Sequence, residues 1–197
     1  YDTDFTSQPR IALKLDDEIP YNELSAIHLE VEWKNIKQED SKRYNRYGDE
    51  LLPFSEPVLK YYHYYLEDEI SGGKEPYYLL LNAGENKISI QTMQDNLLLG
   101  NIYLGGQEQI PSYENYRSMH SGKIIENKPI IIQAEDVSTK NDMEIKASYY
   151  NSVAMTPSSY KQKIFNILDG YSTSRGGTRV NYQIDVPETG YYQLSVK

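Results

Sequence analysis

Short apolar–polar alternations, each stopped by a turn signal, recur along this chain and restrict it to β-structure. In Ile11-Ala12-Leu13-Lys14-Leu15 the odd positions are apolar, and Asp16-Asp17 follow as a turn. Ile27 to Trp33 alternates so that Ile27, Leu29, Val31 and Trp33 share one expected face. Tyr77 to Leu81 is a near-continuous apolar run; Lys87 to Gln91 points Ile88 and Ile90 one way, and Asn101 to Leu104 reads as a further strand. Alternation returns at Ile130 to Glu135. It is clearest in Val180 to Val186, where Pro187-Glu188-Thr189-Gly190 predicts a hairpin returning through Tyr192, Leu194 and Val196. Few segments carry a helical period. The pattern predicts an all-β fold, an antiparallel β-sandwich or jelly roll.

Residues 105–128 differ in character. Gly105-Gly106, Pro111-Ser112 and Ser121-Gly122 break any strand, while Tyr113, Tyr116 and Met119 are spaced as one face of a short helix. This stretch is the expected linker, dividing 1–104 from 129–197.

Charge and composition exclude several functions. A net charge of −9 repels nucleic acid, and Lys and Arg form no cluster interleaved with aromatic rings. The absence of cysteine removes disulfides, zinc-thiolate sites and thiol nucleophiles, and fits a cytosolic or bacterial surface protein. No run approaches the roughly 18 apolar residues of a membrane span, so no membrane insertion is expected of this segment. The chain opens on Tyr1 rather than Met, as a processed or excised piece would. His28, His63 and His120 lie in a strand, an aromatic run and the linker, outside any hydrolase, metalloprotease or phosphate-loop motif. Acidic runs such as Asp16-Asp17 and Glu67-Asp68-Glu69 read as solvated turns rather than as the paired carboxylates of a glycosidase. The expectation is a protein that is not an enzyme.

Twenty tyrosines against three phenylalanines and one tryptophan suit half-buried strands, and they also suit a surface for sugars. Sugar recognition needs an apolar ring face and polar groups converging on hydroxyls. In Tyr61-Tyr62-His63-Tyr64-Tyr65 an extended backbone puts rings on both faces, so some are exposed. Tyr61, Tyr62 and Tyr64 with Trp33 are one candidate ligand-binding set. The Gly/Ser loop 169–179, with Tyr171, Arg175 and Arg179, is the other. The competing reading of the tyrosine cluster is packing between modules.

Two stretches carry a family likeness. Ile132-Gln133-Ala134-Glu135-Asp136, followed by Val180 to Val196 with its Val-Pro-Glu-Thr-Gly-Tyr turn, resembles carbohydrate-binding modules of the jelly-roll, galactose-binding-like type. Arg10 to Tyr21, the Tyr47 to Pro53 stretch, the aromatic run and Tyr77 to Ile90 resemble modules attached to the extracellular solute-binding proteins of bacterial ABC transporters for sugars, and Pro111 to Tyr116 resembles their linker. The resemblance implies that 1–104 is the C-terminal part of one sandwich module. It likewise implies that 129–197 is the N-terminal part of a second or complementing one. It further implies an extracellular, cell-surface location, and as partners an oligo- or polysaccharide and other domains of the parent protein. Glu135 matches the position of a structural calcium (Ca2+) ligand in such modules, although the matching Leu99-Gly100-Asn101-Ile102 carries no acid. An aromatic residue is often found near Arg179 in such modules, so arginine there implies a changed or lost subsite. The alternatives are a β-sandwich that docks partner domains without binding sugar, and an accessory domain of a polysaccharide-degrading enzyme.

Overall fold

The structure, a computed structural model, describes residues 9–39, 43–67, 76–94, 97–106, 109–126, 129–171 and 177–196. Strand β1 (Arg10–Leu15) pairs antiparallel with β5 (Ile88–Gln94), with Leu13 opposite Ile90 and Leu15 opposite Ile88. Each such apolar cross-strand pair contributes about 0.2–1 kcal/mol. Strand β2 (Ile27–His28) completes the order β2-β1-β5. Ile11, Leu13, Leu24 and Ile27 form the buried cluster, with Tyr21, Leu29, Leu66, Tyr77, Leu79, Ile88, Ile90 and Leu97 packed around it. A 3-10 turn at Asn22–Ser25 drives Leu24 into its centre.

The turn after β1 forms where expected. Asp16 and Asp17 both have positive φ, 51° and 70°, and the backbones of Leu15 and Glu18 exchange hydrogen bonds of 2.8 and 3.0 Å. Left-handed backbone at both central residues matches the strand twist, and aspartate is among the few side chains that tolerate it. The Asp16 carboxylate accepts from the Lys87 amide at 2.9 Å, and the Lys87 ammonium lies 2.7 Å from Asp17, tying the turn to the start of β5.

A second sheet has the order β4-β3-β6-β9, from β3 (Trp33–Asn35), β4 (Ser55–Pro57), β6 (Thr139–Lys140) and β9 (Val180–Asn181). Trp33 stands opposite Pro57 on one side and Lys140 on the other, so stretches from both sides of 105–128 share this sheet. Strands β7 (Ala147–Ser148) and β8 (Ile167–Leu168) form a separate pair. Helix α1 (Tyr113–Met119) begins where the spacing predicts, with the Ser112 hydroxyl accepting from the Asn115 amide at 3.3 Å. The described fold is all-β, with antiparallel ladders, one short α-helix and one 3-10 turn.

Five expectations change. The single strand from Ile27 to Trp33 breaks after His28 and resumes at Trp33 in the other sheet. At the break the Leu29 amide bonds to the Pro9 carbonyl at 2.8 Å, and the chain crosses from one sheet to the next, as corner strands do. The hairpin expected over 180–196 is confined to β9. Beyond it the Gln183 amide bonds to the Ser138 hydroxyl, and Tyr191 pairs with 123–125 instead, through Tyr191 N to Lys123 O at 2.8 Å and Ile125 N to Tyr191 O at 3.0 Å. Gly190 permits that approach: a Cβ there would meet Lys123 O at 2.7 Å. Residues 101–104 and 130–135 join no ladder, and Tyr77 and Leu79 cover the core without strand pairing.

These short ladders leave much apolar surface in solvent, including Leu194 at 83% and Val196 at 91% exposure. Leu24 is completely buried, so Leu24→Ala is expected to lower unfolding stability by about 2–5 kcal/mol, read from the urea midpoint.

Candidate functional site

The aromatic run resolves into two sides. Even positions carry the polar contacts, with Tyr64 half-buried and Lys60 and Tyr62 exposed: the Lys60 ammonium lies 2.8 Å from Glu32 and 4.8 Å from the centre of the Tyr62 ring. The Tyr62 hydroxyl donates to the Val58 carbonyl at 2.9 Å, and that of Tyr64 donates to the His28 carbonyl of β2 at 3.2 Å. Odd positions turn outward. Tyr61 is 78% exposed, and His63 stacks on Tyr65 with centroids 4.8 Å apart and planes 22° apart. From the 101–104 stretch, Tyr103 stacks on the same imidazole at 5.3 Å and 17°. Tyr65 and Tyr103 are 69% and 70% exposed, and the Asn101 amide donates to the Tyr103 hydroxyl at 3.3 Å.

Beside the even side lies a charge cluster that links both parts of the chain. Arg179 forms an ion pair with Glu30, whose other oxygen accepts from Asn141 Nδ2 at 3.0 Å. Asn141, buried at the end of β6, also donates to the Gly177 carbonyl at 2.8 Å and accepts from the Arg179 amide at 2.8 Å. Burial pushes the Tyr62 hydroxyl up from its ordinary pKa, Glu32 adds to that push, and Lys60 and Arg179 oppose it. The hydrogen bond to Glu32 in turn raises the Lys60 ammonium. Tyr62, Lys60, Glu32, Glu30, Asn141 and Arg179 therefore form one electrostatic neighbourhood.

Two of the sequence-predicted residues, Tyr62 and Arg179, are brought together here, with Tyr61 and Tyr64 in the adjoining run. Trp33 is half-buried on β3, on the side of Asn35, while the intervening Lys34 is paired across the other face with Glu56 at 3.0 Å. Tyr171 is 88% exposed, with its amide bonded to Asp169 at 3.0 Å, and Arg175 lies outside the described residues. Residues that sequence reasoning passed over are Glu30, Glu32, Lys60, Asn141 and Tyr103. A signal for the first two existed, since both occupy the polar side of the 27–33 alternation.

Glu135 is set apart. Its Oε2 is buried without a hydrogen-bond partner. Burial raises its carboxyl above the usual range, and the negative charges of Asp136 and Glu50 add to that shift. Tyr182 reaches the same spot, donating to the Ala134 carbonyl at 2.7 Å. A calcium ion takes six to eight oxygens. Among the described residues no group of three or more His, Asp or Glu side chains gathers, so any further oxygen donors beside Glu135 would be backbone carbonyls. Comparison with known proteins adds no assignment: no family model, no curated protein and no solved structure matches this chain.

This carboxylate, with one oxygen unpartnered, has a pH signature. Its folded pKa lies above the ordinary 4.5, so the folded state holds the proton more tightly than the unfolded chain. That contribution to stability is complete below the unfolded pKa and is lost as pH rises through the folded one. Glu135→Gln is expected to raise stability at pH 7 and to converge with wild type in acid, as followed by urea unfolding across pH. Added calcium that stabilises wild type and not the variant would instead show ligation by Glu135.

Proposed function

We propose that this chain is a non-catalytic carbohydrate-binding β-sandwich of the jelly-roll, galactose-binding-like type, serving a bacterial sugar-uptake solute-binding protein at the cell surface. The observation that carries this reading is the division of 60–65 into an anchored side and an outward side, which leaves tyrosine rings in solvent on a held backbone. Such rings offer an apolar face for the C–H groups of a sugar, and the charged and amide groups nearby offer hydrogen bonds to its hydroxyls. Attached beside a transport receptor, the module would raise the local concentration of glycan by multivalent attachment.

A second reading is favoured by a different observation. The large exposed apolar surface, including Ile131, Leu194 and Val196, suits a module that docks against other domains of its parent protein and binds no sugar.

A glycan array probed with the soluble chain, with and without calcium, separates the two. The carbohydrate reading expects at least one glycan class to bind, and Tyr61→Ala to weaken it by about tenfold, equivalent to about 1.4 kcal/mol. Silence across plant, host and bacterial glycans from a folded sample would leave the docking reading standing.

A further inference from the structure

Resting on the carbohydrate-binding reading, we infer that the Tyr65–His63–Tyr103 stack is the sugar-stacking subsite, and that its ligand is a neutral pyranose chain with equatorial hydroxyls. The three rings come from two stretches of chain and lie nearly parallel, with the imidazole in contact with both tyrosines. Exposed aromatic side chains ordinarily sample several rotamers, and fixing one on binding costs about 0.5–1.5 kcal/mol. Here each tyrosine ring is already held against His63, so that loss is taken before a ligand arrives.

Tyr64, next to His63, ties the run to the core sheet through the His28 carbonyl of β2, and Tyr62 on the other side bonds to the Val58 carbonyl four residues earlier. At the rim, the Tyr103 hydroxyl and the Asn101 side chain are joined at 3.3 Å, and both groups carry further capacity to bond sugar hydroxyls.

Ligand class follows from electrostatics and shape. The face of an aromatic ring is negative and attracts the weakly positive C–H groups of a pyranose. A ring with equatorial hydroxyls turns its axial C–H groups onto such a face, whereas an axial hydroxyl would lift it away. The net charge of −9 disfavours uronates and sulfated sugars.

The test is calorimetric titration of the whole chain with cellohexaose and xylohexaose, with an oligogalacturonide as the anionic comparison. Binding of a neutral oligomer is expected, with Tyr65→Ala and Tyr103→Ala each weakening it at least about tenfold while far-UV circular dichroism stays unchanged. In the wild-type protein, the His63 and Tyr103 ring signals in NMR are expected to shift on titration, a readout independent of whether the variants fold. Neutral-glycan binding that both variants retain, with the His63 and Tyr103 signals unmoved, would overturn this subsite and leave the carbohydrate function intact. Preference for the galacturonide would overturn the ligand class. Failure to bind any glycan on the array would overturn the function and the subsite together.

Discussion

The antiparallel β1–β5 ladder organises what surrounds it, because its inner face is where buried side chains meet in one cluster. Leu13 and Ile90 stand opposite each other, and Leu24 is brought in from the 3-10 turn to close the layer. The aromatic run depends on this layer at two points. Tyr64 is bonded to the β2 backbone, and Leu66, two residues later, packs on the cluster while its carbonyl accepts from the Tyr77 amide at 2.8 Å. A tyrosine-rich segment without strand partners is thereby held in place, and its alternate side chains face solvent by geometry.

A second constraint joins distant parts of the chain. Glu30 lies between the two sheets and is engaged by Arg179 and Asn141, residues that follow it by more than a hundred positions. Asn141 is buried with its amide and carbonyl both bonded, as an internal polar group must be if it is not to cost stability. Its neighbour Lys140 is also buried; the ammonium donates to the Ile145 carbonyl at 2.5 Å, while burial pulls its pKa down. Through its pair with Glu30, Arg179 ties the last described strand to the segment between the two sheets.

The legible parts of the fold were those in which local pattern and tertiary demand agree. Ile11 and Leu13, the inward Ile88 and Ile90, the Asp16-Asp17 turn and the helix at 113–119 stand where spacing places them, since each is governed by contacts within a few residues or by a uniform face. Alternation at 180–196 is equally regular and failed to yield a hairpin. Period two states which residues share a face but is silent on the partner, and here Tyr191 takes residues 123–125 as its partner. At the candidate site, Tyr61 to Tyr64 were visible as a ring-rich run, but Tyr103 was not. It lies in a stretch that reads as one more strand, and its relation to His63 exists only after the chain has folded back.

The class of structure was legible in the sequence. Alternating short runs dictate β-structure, the acidic balance disfavours polyanions, and the lack of cysteine rules out thiol chemistry. Tertiary structure alone decided which tyrosines face outward, that Arg179 is bound to Glu30, and that Tyr65, His63 and Tyr103 stack together. The reason is physical. A side chain's face follows from local backbone period, whereas its partner follows from which distant segment crosses the same sheet, and nothing within a few residues records that.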